Sequence, residues 1–416
     1  MKILLVASNY PYPAYPMSGT FNETIVFALR NLGHEVEVLA PRPFAPPVLS
    51  KWVSRWKTYQ SIPFYEVRQG IKVYRPAYLQ IPNFAHAFSV DWGAYLCCDR
   101  VASSRHQVVG FDGILASDLE GPAVMAWRLG QNLGLPTIGW VMSRIPRSQS
   151  FRRVISRALE RLDAVFYQSQ ETLEEGADLL NIPVLQMASK RHRVLPHGIP
   201  SPPPMSRMDL RHRYRREWGI ADDEIVILDV GRVSLAKGIL DMLEAVGRAA
   251  KKNPKIKGVI IGSNPSIDDS HLVQQKLKES PWLAARVKLL PACERGRVWE
   301  CLCAADMFAF PSVHPEGMPN SLLEAMAMEL PVVAFDIAPV REAKGTTEGI
   351  VLVRVGDVEA LARELGILAL DQARRVELGK RGAQIVKDRF DTTSNMATAV
   401  RCLSQLVETK KAIAAV

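Results

Sequence analysis

A chain of 416 residues, 48% hydrophobic and 23% charged, is too long for one ordinary core, and its length favours two globular domains. No apolar run reaches the span of a bilayer, and residues 1–6 read as a short buried strand interrupted at Ser8 and Asn9, so neither a membrane span nor a signal peptide is expected and the expected location is cytoplasmic. A formal charge of +9 asks for an acidic partner or surface without identifying it.

In chain order, residues 3–7 predict a strand, 21–31 a helix ending at Gly33, and 35–39 the next strand. A proline- and tryptophan-bearing insertion over 41–65 follows, then a strand at 71–74 and a largely helical stretch at 88–109. Short apolar runs at 113–116, 137–141, 164–167 and 193–195 alternate with helices at 121–132 and 151–162. The prolines of 196–204 cannot continue a helix or a central strand and mark an interdomain linker. A second alternation then begins: strands at 225–230, 258–261, 287–290, 307–310 and 331–335, with helices at 239–252, 272–279, 295–304 and 321–328. Residues 391–416 read as a final helix, with Met396, Val400, Leu403 and Val407 near helical spacing. Alternation of this kind gives two α/β domains, each a doubly wound, mostly parallel sheet whose ligands lie beyond the carboxyl ends of the strands. The expected domains are 1–199 and 200–390, with 391–416 as a C-terminal helix expected to cross back to the first domain.

The six cysteines include no Cys-x-x-Cys pair, and Cys293 stands alone in the sequence, so they read as reduced packing thiols. The excess of positive charge is local. Arg144, Arg147, Arg152, Arg153, Arg157 and Arg161 crowd one segment and Arg207, Arg211, Arg213, Arg215 and Arg216 a second, while Lys51, Trp52, Arg55, Trp56 and Lys57 mix cations with indoles in a third. The first and third fit the headgroup layer of an anionic membrane. The alternative is a set of solvated helix faces with the tryptophans turned inward. Nucleic acid is not expected, because no recognition motif accompanies the charge.

Two segments of the second half carry chemistry. In the first, Glu316, Gly317, Met318, Pro319, Asn320, Ser321, Leu322, Leu323 and Glu324 place two carboxylates on either side of a helix start. Helix-start N–H groups favour phosphate, and carboxylates accept from sugar and ribose hydroxyls. The plain alternative is a Ser321/Glu324 capping box with Glu316 solvated. In the second, Gly231, Arg232, Lys237 and Gly238 follow a strand and precede a helix. Gly231 allows a sharp turn, Arg232 a forked phosphate contact and Lys237 a mobile charge. The pattern is neither a nucleotide-triphosphate loop nor a dinucleotide fingerprint.

Gly231-Arg232, Lys237-Gly238, the Glu-x7-Glu of Glu316 and Glu324, Ser18-Gly19-Thr20-Phe21 and Leu195-Pro196-His197-Gly198 together resemble the large retaining GT-B glycosyltransferase family of glycogen synthase-like and mannosyltransferase-like enzymes (family 4), over nearly the whole chain. Ser8-Asn9-Tyr10-Pro11, Ile62-Pro63-Phe64-Tyr65 and Val73-Tyr74-Arg75-Pro76 are similar to teichuronic acid biosynthesis glycosyltransferases.

The resemblance implies a GT-B fold, two Rossmann-like domains facing across a cleft that closes over the donor. It implies transfer of a glycosyl group, with retained configuration and without metal or other cofactor, from a UDP- or GDP-sugar to a glycan or lipid-linked acceptor in cell-envelope or exopolysaccharide synthesis. Glu324 would bind ribose, Glu316 and the Gly317, Met318, Pro319 and Asn320 loop the donor sugar, and Arg232, Lys237, Ser321 and Leu322 the diphosphate. Gly231 would shape the turn, Gly19 would approach the phosphate from the first domain, and the base would lie by backbone near Cys293. The diphosphate oxygen would take the acceptor proton. Asp222, Asp223, Asp268 and Asp269 read as loop carboxylates and no metal site is expected. One departure stands out: Met142 occupies a position where the family has a histidine, and Asp118 ends a strand where histidine is common. Asp118, Glu120, Ser143 or Arg144 would then serve the acceptor side, with Arg144 facing an acidic sugar. Other readings of the same residues are a non-catalytic sugar-nucleotide-binding subunit and a nucleotide-sugar epimerase.

Overall fold

A computed structural model of the chain describes residues 1–16, 18–46, 54–80, 88–145, 148–187, 191–264, 268–314 and 317–414. It divides into two compact units, Met1–Pro200 with Thr392–Val416, and Ser201–Asp391.

The first unit holds strands β1 (Lys2–Ala7), β2 (Glu35–Leu39), β3 (Arg42–Pro43), β4 (Tyr65–Arg68), β5 (Ile71–Tyr74), β6 (Ala77–Tyr78), β7 (Gly113–Ser117), β8 (Thr137–Val141), β9 (Ala164–Tyr167) and β10 (His192–Val194). Eight of them form one sheet in the order β10-β9-β8-β7-β1-β2-β5-β4, and β3 pairs with β6. Strands β7, β8 and β9 are buried along their whole length, as parallel strands covered by helices on both faces must be. Strand β4 begins where the stretch read as an insertion ends, in a segment with no predicted element. It is an antiparallel edge strand, turned onto β5 through Gln69 and Gly70, both with positive φ. Its alternation of exposed and half-buried residues carries too little apolar signal to stand out in the sequence.

The helix Thr392–Ala414 belongs to this unit. Met396, Ala399, Val400, Cys402 and Leu403 join the core that also holds Ile25, Val26 and Leu29 of the helix Thr20–Asn31. Gly113 leaves room for Leu403, whose Cδ1 would stand 2.7 Å from a Cβ there.

The second unit is a six-stranded, wholly parallel sheet of β11 (Ile225–Val230), β12 (Ile256–Ser263), β13 (Val287–Pro291), β14 (Met307–Phe310), β15 (Val332–Phe335) and β16 (Ile350–Val353), in the order β13-β12-β11-β14-β15-β16. The basic segment after the linker forms the helix Arg207–Trp218. Its Arg215 is fully buried, donates to the carbonyls of Ala304, Ala221 and Glu224, and pairs with Asp306, which also takes Arg211 at 2.7 Å and the Val226 N–H at 2.7 Å. Burial pulls the Arg215 guanidinium below its ordinary pKa, with Asp306 opposing. These arginines therefore fasten the helix to the foot of β14.

Candidate functional site

In the second unit the chain leaves β11 toward β12 and β13 on one side, then returns to build β14, β15 and β16 on the other. The crevice above a reversal of this kind is where open α/β sheets hold ligands. The two segments singled out in the sequence are the loops that follow β11 and β14, so the topology brings them together.

They are laced by backbone. The Ala236 carbonyl accepts from the N–H groups of Val313 and His314, each at 3.1 Å, and from the Ser312 hydroxyl at 3.4 Å. Gly238 has φ +69° and lies so near β14's exit that a Cβ would stand 1.9 Å from the Pro311 carbonyl oxygen. Gly262 approaches Gly231 equally closely, its missing Cβ 1.9 Å from the Gly231 oxygen. Asp269 accepts from the Leu235 N–H at 2.9 Å, and Asp268 from those of Asn264 and Ser270 at 2.6 and 2.9 Å, so both carboxylates serve to tie loops. Above this scaffold Arg232 is exposed, with no hydrogen bond or ion pair among the described residues, and the Lys237 ammonium lies 5.9 Å from the Phe310 ring centroid.

The helix after β14 is Asn320–Ala327, with Pro319 at its N-cap and no side-chain cap. It starts one residue earlier than the spacing predicts, and Ser321 therefore sits inside the first turn. This corrects the capping-box reading: Ser321 cannot cap, and Glu324 points elsewhere. Glu324 is 5% exposed and accepts from Arg295 at 3.2 Å. Burial raises its pKa, and the Arg295 charge pulls the other way. The first N–H groups of the helix, those of Asn320, Ser321 and Leu322, have no acceptor within it. Two side-chain oxygens, Asn320 Oδ1 on the first residue of that helix and Ser234 Oγ on the loop after β11, are buried without a partner among the described residues. Gly317 is half-buried, and Met318 and Pro319 are buried. Glu316 lies outside the described residues.

Cys293 follows β13, where the Ala292 N–H donates to the Ser263 carbonyl at 3.0 Å. It is not isolated in space: the Cys301 thiol hydrogen-bonds it and lowers its pKa, while that of Cys301 rises. Neither Arg295 nor this thiol pairing was legible in the sequence, because both partners come from the helix Arg295–Cys303 and only folding brings them back over the loop.

In the first unit the reversal falls between β1 and β7. Gly19 caps the helix Thr20–Asn31 with φ 65° and presses on the loop after β1, where a Cβ would stand 2.5 Å from Asn9 Oδ1. The fully buried Asn22 donates to the Asn9 carbonyl at 2.7 Å, and its own Oδ1 has no partner. Asp118 follows β7 with φ 107° and ψ 162°, a region that only glycine enters without strain. Its carboxylate takes the Leu119 N–H and the Ser143 hydroxyl, each at 2.8 Å, and burial raises its pKa against those bonds. Met142 is partly buried and packs against the core cluster that includes Trp140 and Phe166. Arg144 pairs with Glu171 at 2.8 Å and also with Glu175. This corrects the expectation that Arg144 offers free charge to an acidic sugar, since two carboxylates of the helix Gln170–Leu180 already neutralise it.

Residues 211–385 match the family model described as Glycosyl transferases group 1. The chain is 26% identical over 409 residues to the teichuronic acid biosynthesis glycosyltransferase TuaC of Bacillus subtilis, covering 95% of this chain and 96% of that one. It is 24% identical over 422 residues to the GDP-mannose-dependent alpha-(1-6)-phosphatidylinositol monomannoside mannosyltransferase of Mycolicibacterium smegmatis, covering 99% and 100%. Among solved structures, Anabaena HepE in complex with UDP superposes with a TM-score of 0.72 at 18% identity, covering 97% of this chain and 100% of that one. The chain therefore carries a group 1 glycosyl transferase domain within a GT-B fold, and it is a glycosyltransferase.

Proposed function

We propose that this glycosyltransferase moves a sugar, with retention of configuration and without a metal, from a UDP- or GDP-sugar to a glycan or lipid-linked acceptor of the cell envelope or an exopolysaccharide. The observation that carries the reading is the switch point of the second unit. Buried Glu324, unpartnered Asn320 Oδ1 and Ser234 Oγ, a bare helix start and exposed Arg232 converge on two loops locked together by Gly238. A ribose supplies hydroxyls for Glu324, and a diphosphate supplies anionic oxygens for the helix N–H groups, Arg232 and Lys237.

The chemical demand is leaving-group stabilisation. As the glycosidic bond lengthens, negative charge builds on the diphosphate and positive charge on the ring. Fixed cations and oriented N–H groups lower that barrier without reorganising. The diphosphate oxygen nearest the acceptor hydroxyl takes its proton, so the protein need supply no separate base. The names of TuaC and of the mannosyltransferase support an envelope acceptor, and the UDP held by HepE supports a nucleotide-sugar donor.

A peripheral place on the cytoplasmic face of a membrane is part of the proposal. The helix Gln149–Arg161 buries Ile155, Ala158 and Leu159 and exposes Arg153, Arg157 and Arg161. Phe88, Trp92 and Leu96, spaced four apart, are 63%, 41% and 62% exposed. Cations and exposed apolar side chains together suit an anionic headgroup layer. No described helix is long and apolar enough to cross a membrane.

Incubating the purified chain with nucleotide sugars and a membrane extract tests the reading. Acceptor-dependent release of nucleoside diphosphate is expected. Binding without release would indicate a non-catalytic subunit, and isomerised donor an epimerase.

A further inference from the structure

A second site lies in the first unit, at the carboxyl ends of the neighbouring parallel strands β1, β2 and β5. Ser8, Asn9 and Tyr10 leave β1, Arg42 follows β2, Arg75 follows β5, and Tyr59 closes the side, around a cavity of about 260 Å³. Pockets for drug-sized ligands run from roughly 300 to 1,000 Å³, so this one suits a single sugar ring or a small headgroup.

The residues that line it carry more donors than the protein satisfies. Arg75 is 2% exposed. It spends one terminal nitrogen on Glu66 at 2.9 Å and the other on the Pro11 carbonyl at 2.7 Å, leaving its Nε buried and unpartnered. The Tyr10 hydroxyl, on a residue also 2% exposed, is buried without a partner, as is the Nε of Arg42. Arg42 gives one terminal nitrogen to the Tyr59 carbonyl at 3.2 Å and pairs with no carboxylate among the described residues.

The charge does not balance either. Glu66 answers Arg75, and Glu23, which also faces Tyr10, is taken by Arg68 at 2.7 Å. Nothing described answers Arg42. Burial accordingly pulls the Arg42 guanidinium below its ordinary pKa, with no opposing carboxylate, and pushes the Tyr10 phenol up. A half-buried cation without a counter-ion among the described residues, beside a buried hydroxyl and a second guanidinium, is suited to take an anion. Asn9 links this cavity to the Gly19 turn, since the same residue lines the one and supports the other.

We propose that the cavity binds an anionic group, a carboxylate or a phosphate, of the acceptor, with Arg42 as its counter-charge. The assignment to the acceptor rests on reading the second unit as the donor side; the anion site itself does not. It makes the preferred acceptor a uronate-bearing or phosphate-bearing molecule rather than a neutral glycan.

Titration calorimetry on the full chain separates these points, using glucuronate, glycerol 3-phosphate and neutral glucose as probes, with UDP titrated separately. At least one anion is expected to bind where glucose does not, and the stronger of the two identifies the carboxylate or the phosphate source. Arg42→Gln should weaken that anion tenfold or more, Arg42→Lys should recover part of the loss, and UDP affinity should be unchanged in both. Anion binding no tighter than glucose overturns the proposal. So does binding indifferent to Arg42→Gln in a variant that melts like the wild type. A wild-type chain that takes the anion but not UDP keeps the pocket and removes the donor reading instead.

Discussion

The carboxyl edges of the two sheets meet the same problem with different materials. At the edge of the second unit the chain approaches itself so closely that Gly238 and Gly262 each leave only 1.9 Å between an imagined Cβ and a neighbouring carbonyl oxygen. What faces the crevice there is mostly backbone and a helix start. At the edge of the first unit one such glycine, Gly19, supports a turn, but the surroundings are side chains: a strained Asp118 and a pocket of arginines and tyrosines. A backbone cradle suits a group common to many substrates, such as a diphosphate. A side-chain pocket can be rebuilt residue by residue. The contrast teaches that changes in the second unit should abolish function and changes in the first should redirect it.

The largest effect is expected at Gly238. Gly238→Val adds a branched side chain at positive φ against the Pro311 carbonyl, and should cost at least about 2 kcal/mol of stability and abolish UDP binding, seen by thermal melting and calorimetry. Gly33→Ala is the control, since φ there is +84° but nothing lies within 4 Å. It should cost only about 1 kcal/mol.

Next comes Glu324→Gln, which should weaken UDP or GDP roughly tenfold or more, the scale of a charged hydrogen bond. Its pH dependence carries a sign. Because burial raises the folded pKa of Glu324, its stabilising contribution is fully present below the ordinary carboxylate value and is lost as pH rises through the raised one. Nucleotide affinity should run the opposite way, rising over the same window as the carboxylate ionises. Glu324→Gln should flatten both curves, and a wild-type affinity that does not change across that window would remove Glu324 from the ribose site.

Asp118→Gly should have little net effect on stability, within about 1 kcal/mol, because relief of backbone strain offsets two lost hydrogen bonds. Acceptor turnover should nevertheless fall while UDP affinity holds. Loss of UDP binding in this variant would break the division between the two edges. The smallest effect belongs to Arg144→Ala, which should leave the choice between neutral and uronic acid donors unchanged and cost at most about 1 kcal/mol, since the pairs it breaks are partly exposed.

Strands of continuous apolar residues, such as β8 and β9, could be placed from the sequence to the residue, because full burial leaves no alternation to misread. Edge strand β4 could not, since a polar hairpin looks like a loop. The glycines of the second unit were legible as turn formers, yet what they touch was not: Gly238 meets Pro311 across 73 positions of chain. The Ser321 capping box failed because the helix is capped two residues earlier, at Pro319, which moves the Ser321 hydroxyl from cap to first turn. Arg144 failed for another reason. Its charge is visible in the sequence, but the two carboxylates that consume it lie on a later helix. The Arg42 pocket was missed because its parts leave three different strands and acquire meaning only as neighbours.

The proposed place for a nucleoside diphosphate is over β11 and β14, against Glu324, Arg232 and Lys237. Competition of UDP and GDP for the wild-type chain, set beside Glu324→Gln and the double variant Arg232→Ala/Lys237→Ala, tests it directly. Tight binding of at least one nucleotide is expected, with a loss of tenfold or more in each variant and melting temperatures preserved. Binding that survives both sets of substitutions would place the nucleotide elsewhere on the chain.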